Sequence, residues 1–132
     1  MGLCLKKAHI MITHDHILTL LDAITDPCSL AAGSPVGITT LGLIRAVDVK
    51  TGPDGAYVTV TMVLTSPGCL MASVFTNSIL DILRAQPDVA AADVIFDHDA
   101  IWLPEDAAPA YRESRAAHLR TMNDRYAAMR SA

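Results

Sequence analysis

The sequence predicts an α+β fold: a small mixed sheet of three strands with helices packed on it, in the order α-β-β-α-β-α. Two observations predict it. Apolar residues recur at helical spacing in two well-separated stretches, and three short runs between and after them alternate with polar residues or are rich in β-branched ones. Clusters of Gly, Pro and Asp divide these pieces, and 132 residues are enough for one apolar core.

The first helix runs from about Thr13 to Thr25, because Ile17, Leu20, Leu21 and Ile24 share a face. Thr13 is placed to cap it, with Asp15 near the positive end of the dipole. Asp26-Pro27 is expected to stop it, and a loop with Gly33, Pro35 and Gly37 follows. Alternation then predicts a strand from Leu43 to Lys50, a turn over Thr51-Gly-Pro-Asp-Gly55, and an antiparallel partner from Ala56 to Leu64. The β-branched run from Val58 to Val63 marks that partner as the central strand.

Ser66-Pro67-Gly68 breaks the strand. Val74, Phe75, Ile79, Ile82 and Leu83 then mark a second amphipathic helix reaching about Gln86. Ala92, Val94 and Phe96, alternating with Asp93 and Asp97, predict a third strand ending near His98. Beyond Trp102-Leu-Pro104, a stripe of Tyr111, His118, Met122, Tyr126 and Met129 predicts a last helix, frayed or packed on a partner. The expected organisation is a tail over 1–12, a domain over 13–104 and a helical extension over 105–132.

Composition narrows the function. Apolar runs fall short of the roughly 18 residues a membrane span needs. The N-terminal segment lacks the apolar run and cleavage site of a secretory leader, which makes the cytoplasm the expected location. Ten basic against fourteen acidic residues, the basic ones scattered except for a C-terminal arginine series, argue against a nucleic-acid surface. Walker, Rossmann, zinc-protease and nucleophile-elbow patterns do not occur, which weakens an enzyme reading.

Three cysteines, Cys4, Cys28 and Cys69, form no CxxC pair and fit free thiols in a reducing compartment. Cys69 is the most informative, since it falls at a strand-to-helix junction where backbone N–H groups favour thiolate, the metal-binding form. A free cysteine is equally a small packing residue. Cys28 follows Asp26-Pro27, and a fold of that loop over the junction would bring two thiols to one metal. Asp26 is read as orienting a thiol, as a helix-ending turn before proline, or both. His14 and His16, two apart on a helix, point to different faces, and Asp97-His98-Asp99 could supply oxygen and nitrogen ligands at a strand end but reads more simply as ordinary polar turn material.

Taken together, Ala23-Ile-Thr-Asp-Pro27, Leu41-Gly-Leu-Ile44, Leu64-Thr-Ser-Pro-Gly-Cys69 and Trp102-Leu-Pro104 resemble the SufT and PaaD type of iron-sulfur cluster assembly domain, formerly a domain of unknown function. The resemblance covers about residues 13 to 118. It implies the helix-hairpin-helix-strand order derived above, and it aligns Thr65 and Cys69 with the family's shared threonine and reactive cysteine. Asp26, Leu41 and Gly42 match other shared positions. Two departures stand out: Cys28 occupies a position where the family usually has Glu, and Leu70 follows Cys69 where Pro is common.

The function implied is an accessory factor, not an enzyme, that carries or delivers iron or an iron-sulfur cluster to client apoproteins, with Cys69 and Cys28 as ligands. One or two cysteines cannot complete a four-thiolate shell, so a homodimer, an assembly partner or a small thiol must supply the rest. The competing readings are a metal-free adaptor serving a particular metalloenzyme and a two-cysteine thiol redox protein.

Overall fold

Thr13 caps the first helix, α1 (His14–Leu21), by accepting a hydrogen bond from the His16 N–H at 3.1 Å in a computed structural model that describes residues 12–65 and 71–131. The helix buries Ile17 and Leu21 and ends earlier than its apolar periodicity predicts. The chain tightens there, with Ala23 N–H bonded to Leu20 O and Ile24 N–H to Leu21 O. Ile24 still packs on the core, but from an extended segment in which Asp26 N–H meets Val36 O at 2.8 Å and Ile38 N–H meets Ile24 O at 2.9 Å.

Asp26-Pro27, expected to end one helix, instead begins another, α2 (Pro27–Ala31). Proline lacks only an N–H that the first turn leaves unused, and its fixed φ suits that position. Cys28 therefore lies on a short helix and not in a loop.

The hairpin pairs β1 (Ile44–Gly52) with β2 (Gly55–Met62) antiparallel, and the pairing of Gly52 with Gly55 leaves only Pro53 and Asp54 in the turn. Gly55 makes this tight closure with φ +136. After α3 (Ala72–Arg84), β3 (Val89–Phe96) joins parallel to β2, giving the mixed order β1-β2-β3 with β2 central, as expected.

Burial on β2 alternates, so the sheet is one-sided. Ala56, Val58, Val60 and Met62 are buried, whereas Tyr57, Thr59 and Thr61 face partly to solvent. The buried face meets α1 and α3, whose Phe75, Ile79 and Leu83 complete the core with Ile38, Leu41 and Leu43. Past β3 the chain returns through a 3₁₀ turn (Pro104–Asp106) to α4 (Pro109–Ser131). None of the α4 residues is buried, and Leu119, Met122, Tyr126 and Met129 form an exposed stripe. No described helix is long and apolar enough to cross a membrane.

Candidate functional site

The position of Cys28 is set by a knot of hydrogen bonds around Asp26 and Ser29, two polar residues buried at the start of α2. The Asp26 carboxylate accepts the Ser29 N–H at 2.9 Å, an N-cap. The Ser29 hydroxyl donates to Asp26 O at 2.6 Å and accepts the Val36 N–H at 3.0 Å. The knot leaves Cys28, between the two, as an exposed free thiol. Asp26 thus caps the turn that carries Cys28, and it starts a helix where the sequence reading had it end one.

Asp22, which the sequence reading passed over, fixes the second piece. Its carboxylate accepts the Thr40 N–H at 2.8 Å and the Thr40 hydroxyl at 2.7 Å, and Thr39 donates its hydroxyl to Leu18 O at 2.7 Å. These bonds hold Leu41 and Gly42 at the entry to β1. Gly42 has φ +85, and a Cβ there would overlap the backbone of Asp106. That approach is how the chain after β3 straps across the site: Trp102 donates its indole N–H to Leu41 O at 2.8 Å, and Ala108 N–H reaches Thr40 O at 2.9 Å.

Arg45 clamps the strap, bonding the Asp106 carboxylate at 2.8 Å and Ile101 O at 3.1 Å. The Arg45 guanidinium, and secondarily the Leu103 N–H, hold the Asp106 carboxyl below the usual carboxylate range. A carboxyl held low by folding contributes stability that is fully present above roughly pH 4 and is lost as pH falls through its lower folded value. Trp102, the only tryptophan, reports on this strap. Acid titration of the wild type is expected to red-shift its emission only below roughly pH 4. Arg45→Gln should be red-shifted already at neutral pH with a smaller acid step, and superimposable titrations would remove the clamp from the account.

Strap, α2 and α4 enclose a groove of about 520 Å³. Its lining takes Asp26, Cys28 and Ser29 from the α2 turn, Leu41 from the entry to β1, Thr65 from beyond β2, and Trp102 from the strap. Tyr111, Arg112, Arg115 and Leu119 add a wall from α4, anchored where the Tyr111 hydroxyl meets Ser34 O at 3.3 Å. Four of the six residues singled out from the sequence, Asp26, Cys28, Leu41 and Thr65, therefore share one cavity, and the fifth, Gly42, shapes it from behind. The sixth, Cys69, lies outside the described residues, as does Cys4. Thr65 and Trp102 also border a second groove of about 410 Å³ that includes Asp97 and His98.

The remaining candidates are accounted for locally. His14 is an exposed residue beside Asp15, and Asp97 accepts the Asp99 and Ala100 N–H groups in an ordinary side-chain turn. Among the described residues no three His, Cys, Asp or Glu side chains converge as a metal site. Sequence reasoning missed Ser29, although Asp-Pro-x-Ser carries the signs of a capped helix start. It also missed the α4 wall, which has no local signal because its partners lie some eighty residues away.

Comparison with known proteins decides the relationship. A family model described as "Iron-sulfur cluster assembly protein" matches residues 14–94. The chain belongs to this family. Its matched segment runs from α1 into β3 and includes the α2 side of the groove with Leu41 and Thr65, but leaves out Trp102 and α4. Two solved structures share the fold. A domain of unknown function from Bacillus anthracis has 24% identity and a TM-score of 0.63, over 77% of this chain and 90% of that one. A conserved hypothetical protein from Thermotoga maritima has 21% identity and a TM-score of 0.55, over 79% of this chain and 94% of that one. No curated relative matches the chain.

Proposed function

We propose that this member of the iron-sulfur cluster assembly family carries iron or a cluster to client apoproteins in the cytoplasm, with Cys69 as its principal thiolate and Cys28 as a second. The observation that carries the reading is the shared groove: the exposed Cys28 thiol lines the same cavity as Thr65, which precedes Cys69 by four residues in sequence. Iron-sulfur chemistry requires soft thiolate ligands, usually four. Two from one chain leave the shell open, which suits a carrier that must surrender its cargo to a client, and a second copy, an assembly partner or a small thiol supplies the rest.

Anaerobic reconstitution with iron and sulfide tests this. Wild type is expected to take up iron and develop thiolate-to-iron absorption, Cys69→Ser to lose both, and Cys28→Ser to retain less iron than wild type. Absence of bound iron in every form, or uptake indifferent to Cys69→Ser, would replace the carrier by an adaptor that brings clients to the assembly machinery without holding metal.

A further inference from the structure

The α4 wall gives the groove a sign of charge. Arg112 and Arg115 lie three residues apart, on one face of the helix, and both line the cavity that holds the Cys28 thiol. Neither is ion-paired among the described residues, whereas Arg45 already has Asp106. Among the described residues the only carboxylate in the lining, Asp26, is buried and caps the Ser29 N–H.

This positive wall is local. Residues 109–131 carry five arginines against two acidic residues, while residues 1–108 carry twelve acidic against five basic. The wall also lies beyond residues 14–94, the segment the family model matches. Trp102, Tyr111 and Leu119 leave the rest of the lining apolar, fit for the organic body of a ligand.

We propose that Arg112 and Arg115 make the groove selective for anionic thiolate ligands, above all those bound to iron in an arriving cluster. There Cys28 forms an iron–sulfur bond as one carried thiolate's bond to iron breaks, and that thiolate leaves with the Cys28 proton. This rests on the carrier reading and specifies its cargo. A cluster held by four thiolates is a net anion, because the thiolates outweigh the positive core. A small thiol bearing carboxylates is an anion too, and either would be drawn to a cleft lined by unpaired guanidinium groups.

The test needs no iron, so it can fail separately from the carrier reading. In a Cys4→Ser, Cys69→Ser background only Cys28 reacts. Its thiolate attacks one sulfur of an aromatic disulfide, the probe's S–S bond breaks, a new one joins Cys28 to half the probe, and the other half leaves as thiolate. Rates are compared for a dianionic nitrobenzoate disulfide and a neutral pyridyl disulfide. The anionic-to-neutral ratio should fall about tenfold, the low end for a one-signed cleft, in Arg112→Gln/Arg115→Gln. The neutral rate should stay as it was, and Arg112→Lys/Arg115→Lys should recover most of the ratio. Added salt should lower the ratio in the parent and leave the glutamine variant unchanged. A ratio indifferent to both arginines would overturn the proposal, as would glutamine variants in which both probes slow equally, since that is loss of access and not of charge.

Discussion

Gly42→Ala is expected to lower stability by about 3 kcal/mol, from roughly 1–2 for a side chain in the left-handed region and about 1 for each strap hydrogen bond lost. The effect is not only conformational. With φ +85 the new Cβ points into the backbone of Asp106, so the strap must lift and release the Trp102–Leu41 and Ala108–Thr40 bonds. The melting temperature should fall by about 10 °C, with a red shift in Trp102 emission in the folded baseline. Gly33→Ala is the control. Gly33 has a similar φ of +81, but a Cβ there meets only the edge of the His118 ring, at 3.1 Å. It should cost roughly 1–2 kcal/mol and leave the emission in place. Equal losses at the two positions, without a spectral shift at Gly42, would mean that the glycine serves the turn alone and not the strap.

The contrast between these glycines also shows what the sequence could and could not convey. Leu41-Gly42 was recognisable as a shared step into β1, yet the reason for glycine there is Asp106, more than sixty residues later. Local features were legible where their partners are local: the Thr13 cap, the hairpin across Pro53-Asp54, and the central place of the β-branched strand β2 all follow from neighbouring residues. The end of α1 was not, because Asp22 is engaged by Thr40 and no periodicity in Ile17–Ile24 registers that competitor. Proline in Asp26-Pro27 carries two meanings, stop and start, and only the buried bonds from Ser29 and Val36 choose between them. The site divides in the same way. Asp26, Cys28, Leu41 and Thr65 were visible as motif positions, but the cationic wall that closes their groove comes from a helix whose weak apolar stripe predicts a helix without revealing its neighbours.

A second large effect is expected at Phe75, which is 2% exposed in the first turn of α3. Phe75→Ala should destabilise by about 4 kcal/mol, since the other residues of the buried cluster are held by their own elements and collapse only partly into the vacancy. Leu83→Ala, in the last turn of the same buried face, should cost about 3 kcal/mol for the same reason. What separates them is the place of each on the helix. Phe75 follows Cys69 by six residues and anchors the end of α3 that receives the chain from it, whereas Leu83 anchors the end leading to β3. Iron retention after reconstitution, measured where both variants are fully folded by circular dichroism, should therefore drop well below wild type in Phe75→Ala and stay near it in Leu83→Ala. Equal retention would show that the docking of α3 stabilises the domain without positioning the thiol, and would leave the α2 turn and the strap as the elements that shape the site.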